Sequence, residues 1–221
     1  MTESIIEQPL GKIMRALSFA AAKHRDQRRK NVQASPYINH PIALASILAD
    51  EVGIIDPSVI CAALLHDTIE DTETTADELV HHFGQEITSI VMEVTDDKSL
   101  PKVERKQRQI DHAATISDKA KLVKLADKIS NLRDIAASPP AEWGIERKQQ
   151  YFNWAAEVVD QVRGVNPRLE ALFDLAVGER PKDENSSSGT TQPPKKGSHP
   201  IHPNIVEAGP ETYGTAIAIG G

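Results

Sequence analysis

The stretch that most constrains this chain is residues 56–71, DPSVICAALLHDTIED. Asp56 is a good helix cap and Pro57 suits the first helical position, where a missing N–H costs nothing. From Val59 to Leu65 every residue is apolar, so no face is left for water and the segment belongs in the middle of a domain. That core helix then delivers His66 and Asp67, and one turn later Glu70 and Asp71, into surroundings where charge is expensive unless paired or bound to a metal. On a continuous helix His66 and Glu70 are i,i+4 neighbours, as are Asp67 and Asp71, so four ligand or acid/base groups gather at one helix end. The rest of the chain has to supply the remaining ligands and a substrate pocket.

A length of 221 residues allows one core of ordinary size with a tail. Aromatic residues make up only 4% and apolar residues recur at i, i+3 and i+4, which predicts an all-α protein, a single helical bundle. A net charge of −7 argues against nucleic acid as a partner, because such binding needs a basic surface to displace counterions. An anionic substrate must therefore meet a local basic patch. Cys61, the only cysteine, lies inside the apolar helix and reads as a small buried hydrophobe in a reducing compartment. With neither a signal-like N-terminus nor an apolar run long enough for a bilayer, the expectation is a cytoplasmic protein with no membrane partner.

Taken in order, Leu10, Ile13, Leu17, Ala20 and Ala21 mark a first helix over roughly residues 8–27, ending in a basic cluster that includes Arg28, Arg29 and Lys30. Asn39 is placed to cap a second helix running from near Pro41 to Gly53. Thr75 and Glu78 have capping-box spacing and open a helix that closes at Gly84, with another following through Val94. Residues 101–114 are helical but almost wholly charged. Ser117 caps a helix whose apolar pattern buries Leu122, Val123, Leu125, Ala126, Ile129 and Leu132, with Asp127 among them. Residues 146–162 form the next helix, and Asn166-Pro167 opens a last one ending near Val177. The domain is expected to span 1–178. Residues 179–221 carry 6 of the 14 prolines and 6 of the 12 glycines, the composition of a disordered tail.

His40, then His66-Asp67, then Asp127 offer two imidazoles and two carboxylates from three helices, a ligand set for a divalent metal. Mixed nitrogen and oxygen donors suit manganese, iron, cobalt or zinc, and the lack of thiolates argues against a structural zinc site. A single histidine near a helix end is usually structural. Asp67 and Asp127, however, lie on the apolar faces of core helices, and a core does not carry several unpaired carboxylates unless a cation binds them.

This H…HD…D pattern resembles the HD metal-dependent phosphohydrolases, and the flanking words narrow the resemblance. RRK at 28–30, PYINHP at 36–41, ALLHDTIEDT at 63–72, VTDDKSLPKVERK at 94–106 and KLVKLADKISNLRD at 121–134 are similar to the RelA/SpoT-type alarmone hydrolases, above all their small stand-alone metazoan form. The likeness covers roughly residues 8–177. It implies one Mn²⁺ per active site, held by His40, His66, Asp67 and Asp127, with Glu70 and Asp71 handling the attacking water. It implies stringent-response chemistry: hydrolysis of guanosine 3′,5′-bis(diphosphate), ppGpp, or of pppGpp, at the 3′ side, giving pyrophosphate and GDP or GTP. Removal of the 2′-phosphate of NADPH, or hydrolysis of another nucleotide, is the alternative activity. Arg29, Lys30 and Lys124 are expected to meet phosphate charge, Tyr37 and Tyr151 to stack on the purine, and Asn131 to touch sugar or phosphate. His81, His82 and His112 lie where dinuclear HD enzymes carry extra ligands. The first two close a helix whose dipole favours imidazole and the third sits in a charged segment, so a single metal is expected.

Overall fold

The computed structural model describes residues 8–182. Among them are ten α-helices and no strand longer than an isolated bridge. The helices are α1 (Pro9–Lys23), α2 (Asn39–Ser46), α3 (Pro57–Leu65), α4 (Thr68–Asp71), α5 (Ala76–Phe83), α6 (Gln85–Val94), α7 (Lys102–Ala113), α8 (Asp118–Ala137), α9 (Ile145–Asp160) and α10 (Pro167–Gly178). A π-helical segment, Ile47–Glu51, continues α2, with Val52 N–H donating to Ile47 O at 3.2 Å. None of these helices is long and apolar enough to cross a membrane. The tail expected over 179–221 lies, from residue 183 onward, outside the described residues.

Two helices form the spine. α3 packs against α1, α2, α6 and α8, while α8 also meets α9 and α10. Every residue from Val59 to Leu65 is buried, as the unbroken apolar run requires. At about 1.5–3 kcal/mol for each fully buried Val, Leu or Ile, this run anchors the core. α8 carries buried residues on several faces, Val123, Leu125, Ile129, Leu132 and Ile135 among them, because helices flank it on more than one side.

The capping residues act as their chemistry predicts. Asp56 accepts from Ser58 N at 2.8 Å, Thr75 from Glu78 N at 3.2 Å, Ser117 from Ala120 N at 3.2 Å and Asn166 from Leu169 N at 3.0 Å. Gly84, at φ 85°, separates α5 from α6 in a backbone region that side chains rarely adopt. Three boundaries differ from the sequence reading. α1 ends at Lys23, short of 27, where His24 N–H closes on Ala20 O. Asn39 is the first residue of α2, whose start has no side-chain cap. The 56–71 helix is interrupted between Leu65 and Thr68. There Asp67 sits at φ −96°, ψ −1°, and the Thr68 hydroxyl donates to Leu65 O at 2.7 Å, satisfying a carbonyl beside the break.

The Asp56 cap yields a test. Burial opposes its ionisation, but the Lys119 ammonium at 2.8 Å and the Ser58 N–H outweigh that and hold the carboxyl below its ordinary value. A depressed folded-state pKa contributes stability above the unfolded pKa of about 4, and that contribution is lost as pH falls through the folded value. Asp56→Ala should cost about 1 kcal/mol at pH 7 by denaturant unfolding. The gap from wild type should narrow below about pH 4. Equal midpoints at pH 7 would show that α3 does not depend on this cap.

Candidate active site

The break after α3 aims the site. Consecutive side chains on a regular α-helix diverge by about 100°. Here His66 Nε2 and Asp67 Oδ2 instead converge to 2.8 Å. His40, from the first turn of α2, brings Nε2 to 3.9 Å from the same Asp67 oxygen and to 3.2 Å from Asp127 Oδ1 of α8. His40, His66 and Asp67 are buried and offer ligand atoms all within 4.8 Å of one another, an arrangement able to hold a metal ion.

Three observations fit a cation. His66 Nδ1 is hydrogen-bonded to Ala63 O at 2.8 Å and His40 Nδ1 to Ser130 Oγ at 3.2 Å, so both rings present Nε2 to the site. His66 Nε2 has no hydrogen-bond partner despite its 2.8 Å approach to Asp67. Burial lowers the proton affinity of His66, yet the Asp67 carboxylate more than offsets this and raises its pKa to about 9. A field that draws a proton this strongly also draws a metal ion, which must displace that proton to bind. For His40, burial and the Arg29 guanidinium push the pKa down, as suits a neutral ligand.

Asp127 stands at the edge of this triad. Its Oδ1 accepts from Asn131 Nδ2 at 2.6 Å, and Lys128 Nζ lies 3.1 Å from Oδ2. Burial resists its ionisation, but Lys128 and then His40 hold the carboxyl far below the usual range. Glu70 and Asp71 have side chains only 4% and 2% exposed. Glu70 accepts from Asp96 N at 3.1 Å and Asp71 pairs with Lys98. Burial and the nearby Asp67, Asp96 and Asp71 carboxylates raise the Glu70 pKa to about 8. A cavity of about 20 Å³ joins His66, Asp67, Glu70, Lys124, Asp127 and Lys128. Asp71 does not line it.

The expected substrate residues divide. Arg29 and Lys30 line a cavity of about 210 Å³ that reaches His40 and Asn39. Arg29 donates to Asp134 at 2.5 Å and leaves NH1 buried and unpartnered. Lys124 lines the small cavity, where burial and then Lys128 lower its pKa to about 8. Tyr37 does not stack on a purine: it is 2% exposed, and its hydroxyl donates to Asp67 Oδ2 at 2.5 Å. Asn131 is fully buried and spent at both ends, donating to Asp127 and accepting from Arg29 NH2 at 3.2 Å, so it positions rather than touches substrate. Tyr151 also has no open face, with its ring against Trp143 and Trp154, but its buried hydroxyl has no partner. His81 and His82 are exposed, and His82 packs on Phe19. Sequence reasoning missed Lys128, which is 1% exposed, lies over the Trp154 ring at 4.2 Å and balances Asp127. The available signal was its place in a helix with apolar residues on several faces.

The HD-domain family profile matches residues 16–152. A protein from Xenopus tropicalis named guanosine-3′,5′-bis(diphosphate) 3′-pyrophosphohydrolase MESH1 is 56% identical over 162 residues, covering 73% of this chain and 90% of its own. The chain belongs to the HD-domain family, in its MESH1 group. The Homo sapiens MESH1 of the same name is 55% identical over 158 residues, 72% of this chain and 88% of its own. A solved structure, described as a metazoan ortholog of SpoT that hydrolyzes ppGpp and plays a role in starvation responses, superposes with a TM-score of 0.74. It is 50% identical and covers 76% of this chain and 95% of its own.

The Tyr37 contact can be tested on metal alone. Tyr37→Phe removes the donor that fixes Asp67 and should weaken divalent-metal affinity by roughly 10-fold, in the range typical of residues that orient ligands. His66→Ala should abolish retention outright. Metal content after dialysis and affinity by calorimetry check both, and wild-type affinity in Tyr37→Phe would remove the positioning role.

Proposed function

We propose that this protein is a metal-dependent hydrolase of guanosine 3′,5′-bis(diphosphate) that removes the 3′-diphosphate, using the domain that spans residues 1–178. The observation that carries the reading is the buried convergence of His40, His66 and Asp67 beside Glu70, in a chain similar along most of its length to 3′-pyrophosphohydrolases. His40, His66 and Asp67, with Asp127 as the fourth ligand, hold the ion, and manganese is the metal proposed. When bound, a divalent ion lowers the pKa of water to near 7 and polarises a phosphoryl oxygen.

Water attacks the phosphorus attached to the ribose O3′, the O3′–P bond breaks, and O3′ leaves with a proton, giving GDP and inorganic diphosphate. From pppGpp the nucleotide product is GTP. Glu70, its carboxyl raised to about 8 and lining the cavity with Asp67 and Asp127, is placed to move that proton. Asp71 pairs with Lys98 and acts beside it. Arg29 and Lys30, in the cavity on the His40 side, meet the phosphates of the nucleotide, and Lys124 meets the charge that develops at the scissile group. The unpartnered Tyr151 hydroxyl is a further polar contact.

The test separates catalysis from binding. Glu70→Gln and Asp71→Asn keep shape but remove a proton-accepting carboxylate, so kcat on guanosine tetraphosphate should fall by roughly 10²-fold or more. Metal content should stay near normal. NADPH and deoxynucleoside monophosphates serve as comparison substrates. Faster turnover of NADPH than of guanosine tetraphosphate would replace the proposed substrate, and unchanged kcat in both variants would remove the role given to the pair.

A further inference from the structure

Beyond Glu70 the structure holds a second, larger cavity of about 290 Å³, bordered by the α6–α7 loop, α7 and α8. This volume is at the lower edge of small-ligand sites. Lys124 and Gln109 line both this cavity and the small catalytic one, so side chains alone divide them. Its unmatched polar groups are mostly donors. Lys124 is 7% exposed and makes no hydrogen bond or close ion pair among the described residues. Arg105, its side chain 14% exposed, leaves Nε and NH1 buried without partners, and NH1 stands 3.9 Å from an equally unpartnered Glu70 Oε1. Arg108 lies at the mouth, 49% exposed, with only Asp97 at 3.9 Å.

The carboxylates that share the wall are already engaged. Asp96 Oδ2 accepts from Gln109 Nε2 at 2.6 Å, Glu93 from Ser117 N at 2.7 Å, and Asp97 from Ser99 N at 3.0 Å and Ser99 Oγ at 2.6 Å. Buried cationic donors with no acceptor are costly to leave unmet. A compact polyanion satisfies them, with the positive charges of Lys124, Arg105 and Arg108 set against those of the Glu93, Asp96 and Asp97 carboxylates on the same wall.

We propose that this cavity is a binding site for inorganic diphosphate, with Lys124 and Arg105 holding the inner phosphoryl group and Arg108 the outer. Resting on the hydrolase reading above, the site takes the diphosphate released at the ribose 3′ position, on the side of Glu70 away from the Arg29 and Lys30 cavity. The two products, nucleotide and diphosphate, thus occupy different cavities, and the diphosphate has its own way out.

Arg108 makes the test clean, since it is half exposed, has one long ion pair and takes no part in the proposed chemistry. Full-length, metal-loaded protein is titrated calorimetrically with inorganic diphosphate while a metal buffer holds the free ion constant. One site is expected. Arg108→Ala should weaken binding by roughly 3- to 10-fold and Arg108→Glu by more, as for a partly screened cation facing a polyanion. Product inhibition by diphosphate should relax in the same order. Wild-type diphosphate affinity in both variants would overturn the proposal, placing the anion at the metal. If diphosphate binding follows the Arg108 series but guanosine tetraphosphate is never hydrolysed, the hydrolase reading fails and the anion site stands.

Discussion

Two aspartates, two histidines and a lysine meet inside this bundle, and the packing around them depends on their mutual attraction. Asp67 and Asp127 are the anions, Lys128 is 3.1 Å from Asp127, His40 lies between the two carboxylates and His66 is against Asp67. Removing one partner from such a set leaves an uncompensated charge, at a typical cost of about 3–5 kcal/mol. The groups come from α2, from the break after α3 and from α8, so their pairing also fixes the register of the helices. Hydrogen bonds from His40 to Ser130 and from Tyr37 to Asp67 extend that constraint outward. The apolar run Val59–Leu65 drives burial of α3, and the charges at its end decide where it stops.

What could be read in the sequence was local. Asp56, Thr75, Ser117 and Asn166 were legible as caps because a cap is satisfied within two or three residues, whatever the tertiary fold. That His66 and Asp67 follow a buried apolar helix was legible from the run before them. The break between Leu65 and Thr68 was not, because a threonine hydroxyl that takes a carbonyl and one that faces water look alike in sequence. Tyr37 and Asn131 were misassigned for a related reason: an aromatic ring and an amide are common both as substrate contacts and as supports for ligands. Only the 2.5 Å and 2.6 Å contacts to Asp67 and Asp127 assign them to support. Lys128 was missed because a lysine is usually solvated, and its burial depends on Trp154 from another helix.

The charge balance of the centre also explains how a chain of net charge −7 is suited to a polyanionic substrate. Without a metal, a proton on His66, whose pKa is raised to about 9, and the Lys128 ammonium together offset the Asp67 and Asp127 carboxylates. A dication that displaces the His66 proton would leave a single net positive charge. Lys128 is therefore more than a structural counterion, since without it the same metal would leave the site neutral. Cations also flank this centre, Arg29 and Lys30 on the His40 side and Lys124 and Arg105 on the Glu70 side. Carboxylates stand beside them, Asp134 next to Arg29 and Asp96 and Glu93 in the wall with Lys124 and Arg105. At physiological ionic strength the surface field is screened within about 8 Å, whereas buried charges act almost unscreened. The substrate therefore responds to the few cations that line its path rather than to the net charge of the protein.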